Sequence, residues 1–205
     1  MRAVGYKING VIGQCCKFRY FGLMKIQLLA AIALLFVLLS CEKPNQTVKV
    51  KNKYSLELPA FLEEATGLHK QASLQYSSTE KGLYVLVIDE EKAPFNATVS
   101  RNPALGYTPN LEGYSKLGVD HMAEATLFEG TPVFKNTTVN GLPARTITIT
   151  GLSKNINGYW FDAYVEGADS YYHIVTWTTT AHKAENEKQM QEIISSFKEY
   201  DKVRK

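Results

Sequence analysis

Residues 132–179 read PVFKNTTVNGLPARTITITGLSKNINGYWFDAYVEGADSYYHIVTWTT. Pro132–Asn140 and Leu142–Thr150 are runs rich in β-branched residues, separated by little more than Asn140-Gly141, the strongest short hairpin signal. Asn155-Ile-Asn-Gly158 makes the next turn and Gly167-Ala-Asp-Ser170 the one after. These turns punctuate strands at Tyr159–Glu166 and Tyr171–Thr179. Strands joined by turns this short run antiparallel, so the stretch predicts a four-stranded meander.

The pattern changes on both sides of the meander. Downstream, Met190, Ile193, Ile194 and Phe197 make one apolar stripe at helical spacing, which predicts a helix over about Lys183–Glu199 with Thr180 as its N-cap. Upstream, Leu111, Tyr114, Leu117, Gly118, His121, Met122 and Ala125 predict a helix over Leu111–Leu127, weakened by Gly113 and Gly118. Ala93–Asn110 holds Pro94, Pro103, Pro109 and Gly106 and reads as a long loop. Leu68–Tyr76 and Leu83–Asp89 read as a hairpin whose second arm, LYVLVI, is apolar on both sides and therefore central in its sheet. Tyr54–Leu58 alternates and stops at Pro59, as an opening strand does. Two amphipathic helices need an apolar surface to cover, and an antiparallel sheet offers one. The expected class is α+β, an antiparallel β-sheet flanked by helices in an α/β/α sandwich.

Ahead of this domain, expected over 53–205, residues 42–52 are polar and read as a tether. Residues 1–41 read as a leader. Leu28–Leu39 is an unbroken apolar run of about 18 Å as a helix, short against a bilayer core of about 30 Å and suited to a signal-peptide h-region. Leu38-Leu39-Ser40-Cys41 follows and resembles a bacterial lipobox. Cleavage before Cys41 and diacylation of its thiol with palmitate-type chains would anchor the protein. The alternative is a short uncleaved anchor with an incidental cysteine. Met24-Lys25 stands just before the apolar run as a compact start, which makes 1–23 either a misplaced start or a long basic n-region.

Five of the 23 basic residues lie in 1–41 without one acid, so 42–205 carry 18 basic against 20 acidic residues. A near-neutral domain argues against nucleic acid as a partner. Cys15, Cys16 and Cys41 are the only cysteines, all in the leader, which excludes a disulfide scaffold and a thiolate metal site in the domain.

Three stretches carry a family resemblance: Tyr54-Ser-Leu-Glu-Leu-Pro59, the Val139-Asn-Gly-Leu-Pro-Ala144 hairpin, and Tyr172-His-Ile-Val-Thr176 with Ile193-Ile-Ser-Ser-Phe197. Over 53–200 the chain resembles the PsbP-like superfamily, which includes lumenal photosystem II extrinsic proteins, a Ran-binding import factor and many bacterial lipoproteins. The resemblance implies an α+β sandwich that acts by binding proteins. It carries no ion-binding residue over, because no position here matches one.

The chain holds no Walker loop, no Gly-x-Ser-x-Gly and no His-Glu-x-x-His. His69, His121, His173 and His182 show no metal-ligand spacing, so neither metal nor cofactor is expected. Glu63-Glu64 and Asp89-Glu90-Glu91 read as solvated strand ends. The best constellation lies on the last two strands. Alternation puts Trp160, Asp162, Tyr164 and Glu166 on one face, and Tyr171, His173, Val175 and Trp177 on one face of the next strand, with Arg145 in reach of Asp162 or Glu166. This is either an aromatic-lined groove or ordinary core packing and cross-strand pairing. Tyr107, Arg145, Trp160, Asp162, Tyr164, His173 and Trp177 are the candidate contact surface, with Tyr107 free in its loop. The expected protein is a lipoprotein on the periplasmic side of the cell membrane or outer membrane, binding an envelope partner without catalysis. A small-ligand or ion binder is the alternative, and a hydrolase would need a clustered nucleophile and base that the sequence does not show.

Overall fold

The computed structural model describes residues 45–50 and 52–200, so the leader and Cys41 lie outside the described residues. The chain builds β1 (Gln46–Val50), β2 (Tyr54–Leu58), β3 (Glu63–Glu64), β4 (Ala72–Ser78) and β5 (Leu83–Glu91). Helices α1 (Lys92–Arg101) and α2 (Leu111–Ala125) follow, then β6 (Leu127–Phe128), β7 (Lys135–Val139), β8 (Leu142–Ser153), β9 (Ile156–Glu166) and β10 (Ser170–Thr179). Helix α3 (Lys183–Ser195) and β11 (Lys198–Glu199) close the domain.

The strands form an eight-stranded sheet in the order β3-β4-β5-β10-β9-β8-β6, with β7 also on β8, and a small sheet β1-β2-β11. All pairings are antiparallel. The apolar arm Leu83–Ile88 is central, between β4 and β10, as its two-sided pattern requires. At the Asn140-Gly141 turn both residues take positive φ, 47° and 84°, which is what a tight hairpin demands and why this pair occupies it.

Each face of the large sheet carries its own core. On one, Met190, Ile193, Ile194 and Phe197 join Tyr54, Leu56 and Leu58 over Val85, Val87, Ala163, Val165, Tyr172 and Ile174. On the other, Phe95 and Val99 of α1 and Leu111 and Tyr114 of α2 lie over Ile147, Ile149, Tyr164 and Tyr171. The α+β sandwich is thus built from both helical layers.

Four local readings are corrected. Ala93–Asn110 is not a long loop: Lys92–Arg101 is helical and Pro103–Leu105 is one 3₁₀ turn. Pro94 sits in the first helical turn, where a missing N–H costs nothing. Gln46–Val50, placed in the tether, is an edge strand paired with β2. The last helix stops at Ser195, its cap residue is His182 without a side-chain cap bond, and Thr180 opens a preceding 3₁₀ turn. The second turn of the meander, read as Asn155–Gly158, is Lys154-Asn155, with φ of 49° and 65°, and Ile156 and Asn157 already belong to β9.

Candidate functional site

Register decides what the alternating residues of β9 and β10 do. Trp177 lies opposite Trp160, Val175 opposite Asp162, His173 opposite Tyr164 and Tyr171 opposite Glu166. All eight side chains therefore share the face beneath α1 and α2. β5 adds Tyr84 opposite Trp177. The face divides into a closed part and an open part.

The closed part holds a polar pair in an apolar setting. Asp162 is fully buried and His173 nearly so. His173 Nε2 stands 3.2 Å from Asp162 Oδ2, and the Thr176 backbone N–H donates to Asp162 Oδ1 at 3.2 Å. Burial pushes the Asp162 carboxyl above the ordinary carboxylate range, while the bond to His173, its charge and the Thr176 N–H pull it back down. The Tyr164 ring stacks on the imidazole at 4.1 Å and 17°. Its hydroxyl has no hydrogen-bond partner and points at α2, where a Cβ on Gly118 would lie 2.6 Å from it. Burial, then the charge of Asp162, drive the Tyr164 hydroxyl well above its usual range.

The remaining predicted residues lock this lid. Arg145 does not reach Asp162 or Glu166. Its Nη1 donates to Ser115 Oγ at 2.6 Å and to the Glu112 carbonyl at 3.2 Å, both on α2, and its Nε donates to Asn136 Oδ1 at 3.2 Å. The guanidinium lies 4.2 Å from the Phe134 ring centre. Glu166 is instead paired with Lys92 at 2.7 Å. Tyr107 is not free: its hydroxyl donates to Asp120 Oδ2 at 3.0 Å and Lys116 Nζ sits 4.7 Å from its ring centre, so it folds back on α2. Asn110 caps α2 by accepting from the Gly113 N–H at 3.1 Å.

The open part is the aromatic row. Trp177 stacks on Tyr84 with centroids 4.9 Å apart and planes 10° off parallel, and Trp160 lies beside it in register. All three are half-buried. Trp160 lies flat over Gly158, where an added Cβ would come within 2.3 Å of the indole. Sequence alternation found Trp160 and Trp177. Tyr84 was missed, because its place beside Trp177 depends on the β5–β10 register.

Of the predicted contact residues, Asp162, Tyr164 and His173 are core, Arg145 and Tyr107 hold α2, and Trp160 and Trp177 meet solvent. Chemically, a buried acid–imidazole pair can orient a base, but among the described residues no serine, threonine or cysteine side chain hydrogen-bonds this imidazole. No group of three metal-ligating side chains occurs among the described residues. On the opposite face, a groove of about 460 Å³ runs between β1 and β4, with Val48, Val50, Leu74 and Tyr76 among its walls. Among the described residues no helix is long and apolar enough to cross a membrane.

No family model and no curated protein sequence matches the chain. Its fold does match solved structures. It is similar to a cyanobacterial PsbP (CyanoP) from Synechocystis sp. PCC 6803, with a TM-score of 0.50 and 10% identity over 77% of this chain and 93% of that one. Weaker likenesses are a Bacteroides thetaiotaomicron protein (TM-score 0.48, 6% identity, 80% of this chain and 51% of that one) and LpqN of Mycobacterium tuberculosis, described as involved in cell envelope biogenesis (TM-score 0.46, 9% identity, 78% and 87%). The fold is PsbP-like, and that assignment rests on the first of these.

Proposed function

We propose that this PsbP-like domain is a lipid-anchored envelope protein that binds a protein partner and performs no chemistry. The partly exposed row Tyr84–Trp177–Trp160 carries the reading. Tryptophan and tyrosine are the residue types most often found as contact hot spots, because a rigid ring covers much area at little entropic cost. The rest of the same face is sealed by α2, so a partner meets the row and not the buried Asp162–His173 pair. The anchor is a diacylated Cys41, supported by the apolar run and the Leu38-Leu-Ser-Cys41 pattern.

The test has two arms. A photo-crosslinking residue at position 177 in native envelopes should trap one defined protein, and the same residue at exposed Ala168 should not. Trp160→Ala should weaken recovery of that protein by about thirtyfold, the equivalent of a hot spot of about 2 kcal/mol, measured at a temperature where circular dichroism shows the variant folded. Equal trapping at both positions sinks the surface. Mass spectrometry of the mature N-terminus reads the anchor: an acylated Cys41 is expected, and Cys41→Ser should leave an uncleaved precursor.

A further inference from the structure

A second exposed surface lies at one end of the large sheet. Leu127 is 74% exposed, Ile156 57% and Leu152 38%. Leu127 pairs with Leu152 across β6 and β8, and Ile156 stands opposite Ser153 across the Lys154-Asn155 turn. Leu152 and Ile156 flank the turn of the β8–β9 hairpin, and Leu127 stands beside Leu152 on β6; alternation puts Leu127 and Leu152 on one side of the sheet and Ile156 on the other, so the tip is apolar on both sides. β10 stops at Thr179, opposite Gly158, so the tip projects past its neighbour. Lys154, at the turn itself, is the one charge of residues 152–158. Large apolar side chains exposed on both sides of a projecting turn are costly in water, and a tip of this kind suits insertion into an apolar medium better than contact through one face.

What covers it follows from where the chain leaves the domain. The register of β4, β5, β10 and β9 puts the 79–82 turn and the 154–155 turn at one end of the sheet, with the 140–141 and 167–169 turns at the other. β3 pairs Glu63 with Ser77, beside the 79–82 turn. Gln46 Nε2 donates to the Leu62 carbonyl at 2.6 Å and the Pro59 carbonyl at 3.3 Å, which brings the start of β1 to that same end. The chain ahead of Asn45, with Cys41 four residues before it, therefore joins the domain at the end where the apolar tip projects.

We infer that the β8–β9 tip rests on the bilayer that holds the acylated Cys41, with Leu127, Leu152 and Ile156 in the acyl–headgroup boundary and Lys154 among lipid phosphates. This rests on the anchored reading of the leader. The turn itself carries Lys154 while the acids nearest Leu127, Glu124 and Glu129, stand farther back along the chain from the turn, and a tether attached at the same end holds the tip at the surface rather than in free solution.

The mature chain, acylated at Cys41, is reconstituted into phosphatidylglycerol–phosphatidylcholine vesicles whose acyl chains are brominated. An indole is placed at the tip by Ile156→Trp and, as control, at the far end by Ala168→Trp. Emission is read above that of the unsubstituted chain, whose own Trp160 and Trp177 set the baseline. The tip probe should blue-shift and lose emission to the bromines, and Leu127→Glu in the same chain should restore the emission. The far-end probe should do neither. A chain that stays on the vesicles with an unquenched tip probe overturns the tip contact alone. A chain that washes off the vesicles overturns both readings. A tip probe shielded in native membranes but unquenched in pure lipid overturns the lipid contact and gives the tip to a protein.

Discussion

The Tyr164 hydroxyl is buried against Gly118 without a hydrogen-bond partner. Such a group has lost its water and gained nothing in return, so removing it costs no native bond. Tyr164→Phe should leave stability unchanged or raise it by about 1 kcal/mol in urea unfolding. A clear loss would mean that the hydroxyl meets a partner in solution. Asp162 makes the opposite kind of statement, one about pH. Its folded carboxyl binds a proton more readily than the unfolded one, because burial disfavours the charge. Where the folded state holds more protons, stability falls as pH rises. The contribution is thus full below the unfolded carboxylate range and is lost as pH climbs through the raised folded value. Asp162→Asn keeps the shape and removes the titration. Its stability, followed by urea unfolding from about pH 4 to about pH 7, should lose that falling limb. An unchanged slope would show that the pair with His173 cancels the burial.

At the scale of elements, the end of the chain tests the docking of α3. Phe197 is fully buried beyond the last helical turn, 4.9 Å from the Tyr172 ring centre and 5.3 Å from that of Tyr54. Phe197→Ala should cost about 3–5 kcal/mol, read as a lower urea midpoint, and a variant as stable as wild type would refute the packing. The stripe ending in Phe197 was legible because four apolar residues recur at helical spacing, and the 139–144 hairpin because Asn-Gly admits few other turns. Helix α1 was not, because Pro94, Pro103 and Pro109 read as loop. The pair that betrays it is Phe95 and Val99, four apart and both buried, but two residues make a weak period. β1 carried a legible alternation, Val48 and Val50 half-buried with Thr47 and Lys49 exposed, masked by its polar composition. The site was legible as a face and not as contacts. Alternation put Asp162 and His173 on one side of their strands, while their bond, the place of Tyr84 and the turn of Arg145 toward Ser115 are set by register and by the helix above.

For the whole molecule, β1 is an edge strand whose backbone pairs with a single neighbour, β2, with the Gln46 side chain bonded to the Pro59 and Leu62 carbonyls, and the chain leaves it at the end farthest from the turn it shares with β2. A pull on Asn45 away from the sheet therefore peels β1 one residue at a time instead of shearing all its bonds together. Each residue freed lengthens the connection by about 3.4 Å, so the five residues of β1 pay out roughly 17 Å. The eight-stranded sheet stays closed while this happens, since its ladder does not run through β1, and the core beneath α3 loses only the half-buried Val48 and Val50 from its rim. In single-molecule pulling from the N-terminus, a small reversible extension of about that length should precede the main rupture, and one abrupt rupture without it would contradict the picture. A domain joined to its N-terminal segment this way has a spring at that junction, able to take up a small displacement without unfolding.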